Sequence, residues 1–194
     1  MRLLKNGDRP YHLGPFPLEV LPRDAGLAAD EMTRPRIGPD TSVPTATMLG
    51  RALRETRDIF ARVAEGDVAP AHAPGTNDPV ECTNEIKSAA YFMDASQVGI
   101  CAIPDTAWRE GALPTPHKFA IVMLLEHARI PSDEPVSASW VRGDVQETAE
   151  MRATEIAGNL AGHIRLMGYD ARADVPGSRI LDADRLAVLA GLAI

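Results

Sequence analysis

The chain has 194 residues, a hydrophobic content of 45% and a formal net charge of −7 at pH 7. This length and composition predict one compact domain with a substantial core. The negative charge argues against nucleic acid or an anionic membrane as the partner, because both require a basic surface. The first residues lack the apolar stretch of a signal peptide and a twin-arginine motif, so we expect reduced thiols and a cytoplasmic location.

Proline recurs through the N-terminal segment, from Pro10 to Pro39. Such a composition predicts an extended, irregular leader over residues 1–42, laid over another surface. Residues 43–194 are predicted to form one layered domain. Within it, the first helix is expected at residues 47–64, with Gly66 as its stop and a loop over residues 68–77. The face predicted to be buried contains Leu49, Leu53, Thr56, Phe60 and Val63.

A helix and a strand follow with almost no loop between them. Asp78 can cap a helix that begins at Pro79, and Glu81 at the third helical position completes a capping box. The periodicity predicts a helix over residues 79–95 and a short strand over residues 98–103.

A second strand is predicted after a loop or short helix around Trp108. Residues 118–126 form an apolar run without polar alternation, which predicts a strand buried on both faces. A turn is expected at residues 130–135.

The longest helix is predicted over residues 145–167, with Asp144 and Glu147 as its capping box and Gly168 as its stop. A third strand is expected over residues 169–175, and Asp182 is expected to cap a last helix. The buried stripe of the long helix is predicted to contain Ala149, Ala153, Ile156, Leu160, Ile164 and Met167. These elements predict an α/β (α+β) fold with helices packed on a small mixed sheet.

The long helix carries Glu155, Asn159 and His163 at fourfold spacing, but no second helix offers matching ligands, so no metal site is predicted. His117 and His127 lie at opposite ends of the second strand and cannot converge on one ion.

Other polar residues have an ordinary interpretation beside a functional one. Lys87 and Tyr91 are helical neighbours that could donate a proton, although a solvated or cofactor-facing edge is the favoured role. Cys82 lies in a first helical turn, where a lowered thiol pKa is possible, and Cys101 is interpreted as a small core residue. The arginines that could bind a phosphate or propionate tail, but are more often solvated, are Arg152, Arg165 and Arg172. No catalytic residue is predicted, because nucleophile-elbow and phosphate-loop motifs are lacking.

Four stretches of the sequence resemble one known family. Residues 78–104 read Asp-Pro-Val-Glu-Cys-Thr-Asn-Glu-Ile-Lys-Ser-Ala-Ala-Tyr-Phe-Met-Asp-Ala-Ser-Gln-Val-Gly-Ile-Cys-Ala-Ile-Pro, and residues 186–192 read Leu-Ala-Val-Leu-Ala-Gly-Leu. With residues 9–19, and with residues 151–157 followed by 163–172, they resemble the N-terminal part of the cobalamin-dependent reductive dehalogenases, in their soluble catabolic branch.

The resemblance implies part of a nitroreductase-like cobalamin domain in residues 43–194, with Tyr169, Gly191 and Leu192 against the cofactor. In the complete enzyme a cobalt corrin would remove halogen from haloaromatic compounds, supplied with electrons by two iron–sulfur clusters. A single cluster of this kind needs four cysteine ligands, and this chain has two cysteines. We therefore expect the clusters downstream of this chain, and a fragment that binds none and is inactive alone.

Two alternatives remain open. The chain could be a stand-alone corrinoid- or flavin-binding module of nitroreductase-like fold. It could also be a non-catalytic subunit whose sheet is completed by a partner chain.

Overall fold

The computed structural model describes residues 23–41, 47–74, 78–127 and 141–193. The helices in these residues are α1 (Ala25–Thr33), α2 (Met48–Ala61), α3 (Pro79–Phe92), α4 (Val145–Leu166) and α5 (Ala183–Leu189), and the strands are β1 (Gln97–Ala102) and β2 (Phe119–Leu124). The α+β class and the order of the main elements are confirmed. The turn predicted at residues 130–135 lies outside the described residues. No helix in the described ranges has both the length and the apolar character that a bilayer-spanning helix needs.

Side-chain caps fix where several helices begin. The Asp78 carboxylate accepts hydrogen bonds from the backbone N–H groups of Val80 and Glu81, and Pro79 occupies the first helical position. Asp182 accepts from the N–H of Arg185 at the start of α5. Both of these caps were predicted from the sequence.

The two strands pair antiparallel, from Gln97 opposite Leu124 to Ala102 opposite Phe119. The expected mixed sheet is therefore wrong for the described residues, which form a two-stranded antiparallel sheet. Helices cover both faces of this sheet. On one face Val98 packs with residues of α3 and α4, and on the other Cys101 packs with residues of α5.

The prediction that the second strand is buried on both faces is also wrong. Phe119 is 69% exposed, and the other residues of β2 are half-buried. The physical reason is the position of the strand: within the described residues β2 pairs with β1 along one side only, and no described strand covers its other edge.

The predicted third strand at residues 169–175 is not a strand. This segment runs as irregular chain beside the end of α2, where the N–H of Ala173 donates to the carbonyl of Ala64 over 2.9 Å. Its carbonyl groups are bound by a side chain instead of a neighbouring strand, because the Arg165 guanidinium donates to the carbonyl of Ala171 over 2.8 Å.

The leader contains a helix that its composition did not predict. Residues 25–33 form α1, capped by the Asp24 carboxylate, and none of its residues is buried. Polar contacts attach it to α5: Glu31 and Arg34 lie against Asp182 and Arg185. The Arg185 side chain is fully buried and donates to the carbonyls of Arg34 and Pro35, each over 2.8 Å. The division at residue 42 stays a prediction.

Charged side chains link α2 to the N-terminal turns of α4. Arg54 lies 2.7 Å from a Glu147 carboxylate oxygen, and Arg57 lies 3.0 Å from one of Glu150. The predicted capping box of α4 is therefore wrong, because the Glu147 carboxylate binds α2. The Asp144 carboxylate makes no capping bond and instead accepts from the Thr47 hydroxyl.

These ion pairs also correct the predicted buried face of α2. Leu49, Thr56 and Val63 are exposed, whereas Arg54 and Arg57 are largely covered. A buried carboxylate is stable only with a partner, so the two glutamates of α4 turn the arginine side of α2 inward.

The stripe predicted for α4 is confirmed in its C-terminal half only. The buried members there are Ile156, Leu160, Ile164 and, just beyond the helix, Met167. In the N-terminal half Ala149 and Ala153 are half-buried, and Glu147, Glu150 and Thr154 take the buried positions.

Candidate functional site

The three residues predicted to contact a cofactor lie on two sides of the sheet. Tyr169 packs with the hydrophobic cluster on the α3–α4 face, and its ring stands edge-on to His72 with centroids 4.3 Å apart. Leu192 belongs to the cluster on the α5 face. The described structure does not bring Tyr169 and Leu192 together, and their assignment to a cofactor stays a prediction.

Gly191 and Leu192 end α5 in a tight turn. Gly191 has φ +79°, and the N–H of Leu192 donates to the carbonyl of Ala187 over 2.8 Å, which is the αL ending that glycine allows. This turn presses on β1, because a Cβ on Gly99 would lie 2.6 Å from the carbonyl oxygen of Ala190. Leu192 is 9% exposed and is a core residue in this chain.

A surface cavity of about 230 Å³ lies between the end of α3 and the middle of α4. It is lined by Met93, Asp94, Arg152, Glu155, Ile156 and Asn159. Asp94 has φ +70°, in the left-handed region, and its carboxylate lies 3.8 Å from the Arg152 guanidinium. The Asp94 carboxylate thus gives Arg152 a partner within the protein.

The helix positions considered for a metal do not converge. Glu155 and Asn159 line this cavity, whereas the Nε2 atom of His163 lies 3.6 Å from a Glu85 carboxylate oxygen on α3. Among the described residues, no group of three His, Cys, Asp or Glu side chains is arranged to hold a metal ion. His117 has a different partner, because its Nδ1 atom lies 2.8 Å from the Thr115 hydroxyl oxygen.

The other two candidate arginines also have partners within the protein. Arg165 is 6% exposed and donates to the carbonyls of Val63, Ala64 and Ala171, so it ties α4 to the end of α2. Arg172 lies 3.1 Å from Glu65 beside a second cavity of about 280 Å³. The sequence alone could not distinguish Arg165 from a ligand-binding arginine, because the burial of Arg165 depends on tertiary packing.

The candidate proton donors and thiols occupy ordinary environments. The Tyr91 hydroxyl accepts from the N–H of Val98 over 3.1 Å, and burial together with Arg23 lowers the pKa of Lys87. Burial and the nearby Glu85 raise the pKa of Cys82, so the lowered pKa considered for this thiol is wrong. Burial raises the pKa of Cys101 to about 11, as expected of a core thiol.

The residues predicted to contact cobalamin, Tyr169, Gly191 and Leu192, do not by themselves form a site for a corrin. Sites for small ligands commonly measure about 300–1,000 Å³ and bury most of the ligand. The two cavities described here, of about 230 and 280 Å³, are smaller and open, and neither is lined by Tyr169, Gly191 or Leu192. Neither of these two cavities therefore forms an enclosing corrin site around the predicted residues.

Comparison with solved structures identifies the chain's relatives. The catabolic reductive dehalogenase NpRdhA matches all of this chain at 36% identity with a TM-score of 0.75, and the match covers 28% of that protein. NpRdhA in complex with 3-bromo-4-hydroxybenzoic acid matches 98% of the chain at 36% identity and a TM-score of 0.74, over 27% of its own length.

A further reductive dehalogenase structure, which suggests a mechanism for B12-dependent dehalogenation, matches 98% of the chain at 35% identity and a TM-score of 0.73, over 27% of its own length. No protein-family model matches the chain, and no curated protein sequence does so. The chain therefore matches, in sequence and in fold, the N-terminal portion of these reductive dehalogenases.

Proposed function

We propose that this chain is the N-terminal scaffold of a cobalamin-dependent reductive dehalogenase that removes halogen from haloaromatic compounds. The observation that carries the proposal is the match along the whole chain to proteins of that activity, at 35–36% identity. One of these structures suggests a mechanism for B12-dependent dehalogenation, and another shows NpRdhA in complex with 3-bromo-4-hydroxybenzoic acid. In this proposal the complete domain is nitroreductase-like and the protein is cytoplasmic.

The chain spans about 28% of the relatives it matches, so the remaining functional groups lie in the other part of such a protein. Two cysteines cannot ligate even one four-cysteine cluster. Both thiols have raised pKa values, which disfavour the thiolate that a metal requires. We therefore assign the two iron–sulfur clusters and most cobalamin contacts to the remainder, present in cis or in trans, and expect this chain alone to be inactive.

A chimera tests this function. The matched 28% of NpRdhA is replaced by this chain, and the product is assayed for bound cobalamin, iron and debromination of 3-bromo-4-hydroxybenzoic acid. The controls are NpRdhA with the matched part deleted and the isolated chain. We expect activity in the chimera and none in either control.

Two results would contradict the proposal. One is a folded chimera that contains cobalamin and iron but fails to debrominate the substrate. The other is stoichiometric iron and sulfide on the isolated chain, which would also revive the alternative of a self-sufficient binding module.

The second candidate, a non-catalytic subunit completed by a partner chain, is favoured by one observation: the outer edge of β2 is unpaired within the described residues. Co-purification distinguishes the two, because a subunit would retain a separate cysteine-rich polypeptide in its native host.

A further inference from the structure

The composition of β2 does not match its position in the described sheet. The strand and the residue after it read Phe-Ala-Ile-Val-Met-Leu-Leu, with no charge, proline or glycine. Continuous apolar runs of this kind are typical of interior strands that are covered on both faces. Edge strands in natural proteins instead carry charges, proline or bulges that discourage further pairing.

Hydrogen bonding shows which backbone groups of β2 face outward. The N–H of Ile103 donates to the carbonyl of Lys118 over 2.9 Å, so alternate residues from Lys118 onward face β1. The intervening residues Phe119, Ile121 and Met123 therefore direct their N–H and C=O groups to the outer edge. Within the described residues no backbone or side-chain group bonds to them.

The outer edge of β1 differs, because two of its backbone groups are bound by side chains. The N–H of Val98 donates to the Tyr91 hydroxyl over 3.1 Å, and the carbonyl of Ile100 accepts from Arg23 over 2.7 Å. Within the described residues, polar side chains thus occupy part of the β1 edge, whereas the outward backbone groups of β2 have no bonding partner. An added strand would therefore displace existing contacts at β1 but none of the described ones at β2.

We propose that the outer edge of β2 pairs with an apolar strand from the portion of the reductive dehalogenase outside the matched 28%. This inference rests on the proposed function, which supplies that portion. The argument for this occupant is the length of the relatives, since about 28% of each is matched and the rest is available to pair. An added strand would cover the exposed Phe119 side chain and continue the two hydrophobic clusters to which Ile121 and Val122 belong.

Amide hydrogen exchange on the isolated chain and on the chimera tests the pairing. In the isolated chain, the amides of Phe119, Ile121 and Met123 should exchange at least about tenfold faster than those of Ala120 and Val122. In the chimera the three outward amides should slow by at least about tenfold, while the inward amides change little.

Proline substitutions provide a matched pair. Ile121→Pro removes an outward N–H, so the isolated chain should tolerate it while the chimera loses protection of Phe119 and Met123. Val122→Pro removes an inward N–H and should destabilise both proteins.

The outcomes separate this inference from the proposed function. An active chimera whose outward amides still exchange fast would overturn the strand pairing but not the proposed function. An inactive chimera with protected outward amides would support the pairing and count against the function. Concentration-dependent protection in the isolated chain would identify a second copy as the occupant and overturn the inference. If the chimera does not accumulate, the same exchange measurement can be made on NpRdhA. Fast exchange of the outward amides in the strand aligned with β2 would then overturn the proposed pairing.

Discussion

The two halves of α4 pack in opposite ways. Its N-terminal turns meet α2 through buried Glu147 and Glu150, each paired with an arginine, whereas its C-terminal turns meet α3 and the sheet through Leu160 and Ile164. The apolar half gains stability from each side chain separately. The charged half depends on complete pairs, since an unpaired buried charge is far costlier than the pair is favourable.

Breaking one pair should give the largest effect. Arg57→Ala leaves Glu150, which is 8% exposed, without its charged partner and weakens the cover of Glu147. We expect a loss of about 4 kcal/mol in the free energy of unfolding, measured by urea denaturation. Arg51→Ala on the same helix is the control: its pair with Glu55 is exposed, so the loss should stay below about 1 kcal/mol. Equal losses in the two variants would remove the distinction between the halves.

Truncation in the apolar half should have the next largest effect. Leu160 is 2% exposed in the cluster between α4 and the sheet, so Leu160→Ala should cost about 3 kcal/mol through lost burial and a cavity. Leu166, on the last turn of the same helix, is 77% exposed, and Leu166→Ala should change stability by less than about 0.5 kcal/mol. A small effect at Leu160 would show that this half is loosely packed.

The pH dependence of stability sharpens the comparison on the apolar side. The Cys101 thiol has its pKa raised from 9.0 to about 11 by burial, so the folded state keeps its proton after the unfolded chain has lost it. The stability that the buried, protonated Cys101 thiol contributes is therefore fully present below pH 9.0 and is lost as the pH rises toward 11. Urea midpoints across this window should fall more steeply for the native chain than for Cys101→Val. Parallel curves would place Cys101 in contact with water.

The smallest effect should come from salt on α1, which has no buried residue and is attached by polar contacts to α5. Raising the salt from about 0.1 M to about 1 M shortens the screening length from about 10 Å to about 3 Å. Because Arg34 and Glu31 are partly exposed, amide exchange in α1 should accelerate a few-fold, while that of Leu160 in α4 stays constant. Salt-independent exchange in α1 would mean that apolar contacts hold it.

Sequence reasoning succeeded where one local signal decides the structure. Two helix boundaries were predicted from their capping residues alone, Asp78 with Pro79 for α3 and Asp182 for α5. The apolar periodicity likewise predicted the buried face that contains Leu160 without reference to distant residues. The start of α1 had such a signal in Asp24, which the many nearby prolines obscured.

Sequence reasoning failed where contacts with residues distant in the sequence determine the local structure. Glu147 is well placed for a capping box, and only the packing of α2 shows that Arg54 binds its carboxylate. The burial of Arg165 and the irregular path of residues 169–175 likewise depend on contacts with the end of α2. The cofactor role of Tyr169 and Leu192 was predicted from the family resemblance alone, and under the proposed function their site would also include residues outside the matched portion of the relatives.

Titration with hydroxocobalamin, followed by its visible spectrum, tests most directly whether this chain is an incomplete scaffold. With the isolated 194-residue chain we expect no saturable spectral change, because the two cavities described above, of about 230 and 280 Å³, are too small for a corrin, and under the proposed function a partial site lacks the contacts of the remaining domain. With the chimera we expect saturable binding. Tight, saturable, base-off binding by the chain alone would contradict the scaffold assignment and establish a self-sufficient corrinoid-binding module.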